Sequence, residues 1–262
     1  MTRGLLVLSL FPGVGLLDRA FEEQGFCVVR GPDLLWGGDI KRFNPPAGRF
    51  DGVIGGPPCQ RFSPLANLVR HVYGEEKLAP NLIPEFERCV AEASPDWFLM
   101  ENVPQAPAPE VLRYYVDQQL VADFWVGGET SRKRRFSFGT HQRYEGERRL
   151  RIEQTILDRT APPLPAALAS GGRWVPVKIG GSAKIKRTKI RDNKEQGGYI
   201  AGRKSKRFLL EHIHAQGLPE DFDLPGMTVA AKIKAIGNGV PLALGRALAM
   251  AVKEATRDDR RL

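Results

Sequence analysis

The stretch Leu8-Ser9-Leu10-Phe11-Pro12-Gly13-Val14-Gly15-Leu16-Leu17 decides the fold: an apolar run stops at a Pro-Gly turn and a helical pattern starts directly after it. Residues 5–11 read as a buried strand, and Leu16–Glu23 has the three-and-four spacing of an amphipathic helix. Strand, glycine turn and helix make the opening of a β-α-β unit. Gly13 and Gly15 let the backbone come close to a nucleotide-like ligand. Many α/β turns carry two glycines for structural reasons alone, so both readings stand at this point. The third glycine of the dinucleotide fingerprint is missing, which argues against NAD in its usual arrangement.

Working outward, further short apolar runs fall at Cys27–Arg30, Gly52–Gly55, 97–101 and 135–139, all read as parallel strands, with a second amphipathic helix over 82–93. The expected fold is therefore doubly wound α/β with a mostly parallel sheet, and ligands bind at the carboxyl edge of such sheets. After His141 the periodicity fades into the Pro-rich stretch 161–165, glycines and a basic run, as in a separate, less regular module. A final apolar helix over 241–252 starts at Pro241 after the loop Gly237-Asn238-Gly239. The expected division is 1–141 for catalysis and cofactor, 142–218 for a basic recognition region, and 219–262 for a segment returning to the first.

The chain has 262 residues, 42% hydrophobic and 26% charged, the composition of an ordinary globular protein with room for a sizeable core. The run 5–11 is too short for a membrane span and lacks a signal-cleavage pattern, so a cytoplasmic chain with no membrane partner is expected. Cys27, Cys59 and Cys89 form no C-x-x-C pair, which suggests neither a disulfide framework nor a metal site. Cys27 and Cys89 lie in apolar patterns and are expected in the core. Cys59 lies between Pro58 and Gln60 in a Gly/Pro-rich turn, where a side chain is presented rather than packed.

Net charge is +9, which favours a polyanionic partner. Residues 178–207 concentrate it: Lys184, Lys186, Arg187, Lys189, Arg191, Lys194, Arg203, Lys204, Lys206 and Arg207 stand against Asp192 and Glu195. A phosphate-binding footprint and a solvated loop are equal readings of this run on charge alone.

Three more segments carry chemistry at the same sheet edge. Gly55-Gly56-Pro57-Pro58-Cys59-Gln60-Arg61-Phe62-Ser63-Pro64 presents a thiol after one strand, and Glu101-Asn102-Val103-Pro104 presents a carboxyl after another. A lone acid at a strand end is usually solvated or a helix cap; one beside a presented cysteine is a candidate catalytic acid. Ser131-Arg132-Lys133-Arg134-Arg135-Phe136 adds cations able to lower a thiol pKa or hold phosphate.

These segments together resemble the DNA cytosine-5 methyltransferase family, in family order. Phe11-Pro12-Gly13-Val14-Gly15 is similar to its first cofactor motif, Gly38-Asp39-Ile40 to its adenine-binding loop, and Pro57-Pro58-Cys59-Gln60 with Phe62-Ser63 to its nucleophile motif. Glu101-Asn102-Val103 resembles the acid motif, Arg132-Lys133-Arg134 the arginine motif, and Gly237-Asn238-Gly239-Val240-Pro241 the C-terminal cofactor motif. The resemblance implies an S-adenosylmethionine-dependent, Rossmann-like methyltransferase fold with a small irregular target-recognition domain inserted before the C-terminal helix. It implies Cys59 as the nucleophile adding to cytosine C6, Glu101 bonding the base at N3 and the amine, and Arg132 and Arg134 holding O2 and a phosphate. The cofactor falls to Phe11, Pro12, Gly13, Gly15, Leu16, Asp33, Asp39, Ile40, Pro57, Asn238 and Val240, leaves as S-adenosylhomocysteine, and needs no metal. The partner implied is double-stranded DNA with a flipped base, contacted by Gln60, Ser63, Lys184, Lys186, Arg187, Lys189, Arg191, Arg203 and Lys204. A bacterial or phage enzyme acting as a monomer is expected, with a cognate restriction endonuclease as a further partner.

The pattern departs from the family in places. The helix between the second strand and the adenine loop is missing, and Asp33 stands in for the ribose-binding acid. Thr130 occupies the place of the family's glutamine, and a one-residue shift of the arginine motif would use Lys133 and Arg135 instead. Two other classes use the same residues: a tRNA cytosine-5 methyltransferase, and a catalytically idle DNA-binding relative. RNA reading favours aromatic stacking surfaces, and the middle region offers few aromatics, Trp174, Tyr199 and Phe208 among them, so DNA is preferred.

Overall fold

The computed structural model describes residues 5–62, 64–75, 78–144, 148–155, 163–164, 172–174, 199–201 and 206–257. Ser63, Lys184, Lys186, Arg187, Lys189, Arg191, Arg203 and Lys204 lie outside the described residues. The chain runs β1 (Leu6–Leu10), α1 (Leu16–Glu23), β2 (Cys27–Arg30), β3 (Gly52–Gly55), α2 (Pro64–Tyr73), α3 (Ile83–Ala93), β4 (Trp97–Asn102), β5 (Tyr114–Ala122) and β6 (Lys133–His141). The short strands β7 (Gly172–Trp174) and β8 (Tyr199–Ala201) pair antiparallel, and α4 (Lys206–Ala215), α5 (Val229–Asn238) and α6 (Leu242–Ala255) follow.

The main sheet has the order β2-β1-β3-β4-β6-β5. Its first four strands are parallel, with Leu8 beside Val53 and Val53 beside Phe98. Because side chains of a strand alternate between faces, these runs feed two cores. Val7, Ile54, Trp97 and Leu99 join Phe21 of α1 and Leu244, Leu248 and Val252 of α6 on one face. Leu8, Val53, Phe98 and Met100 join Ile83, Phe86 and Val90 of α3 on the other. Phe86 meets Phe98 edge to face at 5.8 Å between centroids. Each such fully buried side chain contributes roughly 1.5–3 kcal/mol. Gly139 lies opposite Phe98, whose ring occupies the space a Cβ there would need.

Two strand expectations need correction. The strand over 135–139 is not parallel: β6 runs antiparallel to both β4 and β5. The short connection from β5 to β6, a 3-10 turn at Asp123–Val126 and a few residues more, has no room for the crossover that a parallel return requires. β5 itself escapes the sequence reading because Asp117-Gln118-Gln119 interrupts its apolar pattern, as an edge strand allows. Cys27 is exposed rather than packed, since β2 forms the other edge and most of its residues meet solvent. Cys89 is buried as expected.

Between β2 and β3 the chain makes only two 3-10 turns, Leu34–Trp36 and Ile40–Arg42, in place of a crossover helix. At the other end, Gly237 and Asn238 are not loop residues. They close α5, which Thr228 caps through its hydroxyl, and only a turn at 239–241 separates α5 from α6. By length and composition Val229–Ala255 could cross a membrane, but it is this broken pair of helices and is mostly buried in the protein. Ile213 and Leu218, in and just after α4, pack with Ile236 of α5 against Leu16 and Ala20 of α1. The part of the expected recognition region from Lys206 onward thus joins the C-terminal pack.

Candidate active site

At the carboxyl ends of β1, β3 and β4 opens a cavity of about 490 Å³. Of the residues singled out from the sequence, Phe11, Pro12, Gly13, Leu16, Asp33, Pro57, Asn238 and Val240 line it, together with Cys59, Gln60, Glu101, Arg132 and Arg134. Gly15, Asp39 and Ile40 do not.

The turn after β1 is left-handed at Phe11 (φ 54°) and Gly13 (φ 55°), a strained choice for phenylalanine and an easy one for glycine. Asp33 fixes the turn by accepting from the Gly13 amide at 2.9 Å and from the Leu35 amide at 2.7 Å. Trp36 Nε1 donates to the Gly13 carbonyl at 2.6 Å. A Cβ on Gly13 would meet nothing within 4 Å, so the turn faces open space, as a ligand cradle must. Gly15 has another reason to be glycine: its backbone is left-handed (φ 76°), a conformation that strains any residue with a side chain, and the Arg30 guanidinium packs beside it. Arg30 Nε in turn donates to Asp18 at 3.0 Å, and Ser9 donates to the same carboxylate. Burial pushes the Asp18 pKa up, against the pull of Ser9 and Arg30. Asp39 caps the second 3-10 turn through the Lys41 amide at 3.0 Å, and Ile40 is buried there.

The chemical side of the cavity is assembled from three strand ends. Cys59 is half-buried in the turn after β3. That turn is tied to β4 by Asn102, whose Nδ2 donates to the Pro57 carbonyl at 3.2 Å while its Oδ1 accepts from the Val103 amide. Asn102 stood in the quoted motif without a role; only the fold reveals its partner. Glu101 and Arg134 form an ion pair at 2.8 Å, both largely shielded from solvent. Gly56 leaves room for this carboxylate, since a Cβ there would sit 3.1 Å from Glu101 Oε2. The alternative register of the arginine motif faces elsewhere: Lys133 lies 4.9 Å over the Trp125 ring, and Arg135 donates to the Ala106 carbonyl.

Arg132 does something the sequence did not suggest. It is 4% exposed and donates from Nη1 to the Gly237 carbonyl at 2.9 Å and from Nη2 to the Asn238 carbonyl at 3.2 Å. Its guanidinium is thus spent on backbone at the end of α5 rather than held open for a base. Burial, and then the Arg134 charge, push its pKa down to about 9. Burial, and then Glu101, push the Cys59 thiol above its ordinary value, while Arg134 and Arg132 pull the other way. The set is a nucleophile, a carboxyl and a cation in mutual electrostatic contact beside an open glycine turn.

A family model, C-5 cytosine-specific DNA methylase, matches residues 37–167, half of the chain. Type II methyltransferase M.NgoPII of Neisseria gonorrhoeae is 23% identical over 334 aligned residues, spanning 95% of both chains. Type II methyltransferase M.FnuDI of Fusobacterium nucleatum is 32% identical over 113 residues, 37% of this chain and 32% of that protein. The fold is also similar to that of the Entamoeba histolytica methyltransferase EhMeth, with a TM-score of 0.57 at 14% identity, over 97% of this chain and 99% of that one.

Proposed function

This chain belongs to the C-5 cytosine-specific DNA methylase family, and on that premise we propose that it methylates cytosine at C5 within a specific duplex sequence, through covalent attack by Cys59. The observation that supports this reading most is the meeting of Cys59, Glu101 and Arg134 in the cavity that the Gly13 turn lines. Cytosine C5 is a poor nucleophile until a thiolate adds at C6. Cys59 releases its proton to solvent and its Sγ bonds to C6; the C5–C6 π electrons move toward the ring N3, which takes up a proton from solvent that the Glu101 carboxylate holds in a hydrogen bond, leaving C5 enamine-like. Loss of the C5 proton to solvent after methylation expels the thiolate, the N3 proton departs as well, and the aromatic ring is restored. Arg134, paired with Glu101, keeps that carboxyl aimed and offers donors to the base oxygen. Because Cys59 sits in a recess, the base reaches it only out of the stack, at an unstacking cost of roughly a few kcal/mol.

The family implies S-adenosylmethionine, and the open Gly13 cradle fits it: no side chain blocks the turn. Phe11, Gly13, Asp33, Asn238 and Val240 would hold the cofactor, which supplies the activated methyl group and leaves as S-adenosylhomocysteine. Among the acids near the second strand, Asp33 is suited to the ribose hydroxyls. The protein acts as a monomer without metal, so a chelator leaves its rate unchanged, and a restriction endonuclease of the same specificity is its partner. The apolar residues of Val229–Ala255 serve the core, which suits an enzyme working on DNA in the cytoplasm, away from a membrane. Gln60, Ser63 and the basic run from Lys184 to Lys204 hold the DNA. Phosphate contacts by that run make binding salt-dependent, each lost contact lowering the log–log slope by roughly 0.9.

The test is incubation with methyl-labelled cofactor and either duplex DNA or tRNA, followed by sequencing for 5-methylcytosine. The expected result is 5-methylcytosine in DNA at one sequence and none in tRNA. Label in tRNA alone would overturn the DNA reading.

A further inference from the structure

Arg132 joins two parts of the chain that are 105 positions apart in sequence. On one side, its two Nη atoms hold the carbonyls of Gly237 and Asn238 in the last turn of α5, where helical donors have run out and the carbonyls carry partial negative charge. Asn238, and Val240 just beyond it, line the cavity on the cofactor side. On the other side, Arg132 immediately precedes β6, and two residues on Arg134 grips Glu101 at 2.8 Å. A planar fork with two donors fits two adjacent carbonyls in a way that a single ammonium cannot. Among the described residues its buried Nε finds no hydrogen-bond partner, so the guanidinium is anchored at one end only.

We propose that Arg132 is a positioning residue coupling the two sides of the cavity, so that a filled cofactor site and a flipped cytosine each tighten the binding of the other. The inference rests on the cofactor and base sites proposed above. Anything that seats against Asn238 and Val240 fixes the carbonyls that Arg132 holds. Fixing Arg132 sets the start of β6 and with it the aim of Arg134 at Glu101. The coupling is reciprocal, because both ligands bias one linked arrangement. It also depends on the charge of the guanidinium, which faces Arg134 on β6, Glu101 on β4, Cys59 after β3 and Asp123 before β6, with Lys234 of α5 lining the same cavity. With its pKa brought down to about 9, Arg132 stays charged at neutral pH and loses its proton as pH rises through that value.

The experiment measures the affinity of the full chain for the duplex found methylated above, with and without saturating S-adenosylhomocysteine, at pH 7.5. Wild type is expected to bind DNA about tenfold tighter with S-adenosylhomocysteine present. In Arg132→Lys and Arg132→Met the gain falls to about twofold or less, while each ligand alone binds within about threefold of wild type. Undiminished coupling in either variant overturns the proposal, as does wild type that binds both ligands without coupling. Equal losses for each ligand alone and for both together would mean a purely structural role and also overturn it. Should both variants fail to fold, Arg132→Gln, which keeps a planar amide donor for one of the two carbonyls, decides by the same measurement: coupling reduced to about twofold supports the proposal, and undiminished coupling sinks it. Wild type that binds no S-adenosylhomocysteine and methylates no DNA would instead refute the functional reading beneath it.

Discussion

Around the Gly13 turn the cavity wall is largely backbone and apolar side chains, with Asp33 and Asn238 among them, shaped by a left-handed turn that Asp33 and Trp36 lock in place. A short distance along the same cavity, Cys59, Glu101, Arg132 and Arg134 crowd their charges into partial burial. The first side offers shape, with room left where a side chain would otherwise stand. The second offers charge, and burial there raises the Cys59 thiol pKa. Shape and charge fail in different ways when a residue is changed, which makes the contrast open to attack.

The largest effect is expected on the charged side. Cys59→Ser removes the nucleophile of the proposed mechanism, and methyl transfer is expected to fall by at least about a thousandfold while calorimetric cofactor affinity stays within about twofold. Glu101→Gln comes next, with a loss of about a hundredfold in kcat/KM, the range for removing one preorganised polar group. It carries a second signature. The Glu101 carboxylate disfavours the Cys59 thiolate, so removing its charge lowers the thiol pKa. The pH profile of Cys59 alkylation by iodoacetamide should therefore move to lower pH in Glu101→Gln. This is measured in a Cys27→Ser background, because Cys27 is exposed and would react as well. A profile that does not move, or moves upward, contradicts the electrostatic account.

These charged groups were half legible in the sequence. Cys59 and Glu101 follow apolar runs that become β3 and β4, and a residue ending a buried parallel strand is delivered to the ligand edge whatever else the fold does. The strands themselves were readable because both of their faces are buried and residues 52–55 and 97–100 carry no polar side chain. At the sheet edges the same logic lapses: β5 tolerates Asp117-Gln118-Gln119, and β2 leaves Cys27 in solvent. The roles of Asn102 and Arg132 were out of reach because each depends on a backbone carbonyl distant in sequence, Pro57 for one and Gly237 and Asn238 for the other. No local pattern announces such a partner. Asp39 and Ile40 show the converse: a motif match assigned them to the cofactor and gave no hint of the cap that Asp39 makes or of the burial of Ile40.

On the shape side the effects are smaller and fall on binding. Gly13→Val puts a β-branched residue at φ 55°, a conformation that costs such a residue roughly 1–3 kcal/mol, so cofactor affinity should weaken by about tenfold or more. DNA affinity measured without cofactor should remain unchanged. The smallest effect belongs to Asp39→Ala, which loses a cap worth roughly 1 kcal/mol of stability and leaves cofactor affinity within about twofold of wild type. Calorimetric weakening of tenfold in that variant would return Asp39 to the cofactor site and contradict its separation from the cavity.

The central claim is that Cys59 makes a covalent bond to the target base, and duplex DNA carrying 5-fluorocytosine in place of the methylated cytosine tests it most directly. Fluorine cannot leave as the C5 proton does, so with S-adenosylmethionine present the reaction should halt as a stable protein–DNA adduct. Mass spectrometry of the digested complex should find the modified base on the peptide containing Cys59, and the Cys59→Ser protein should give no adduct. Turnover of normal cytosine by wild type with no adduct on the fluorinated duplex, or an adduct on any other residue, would contradict the account.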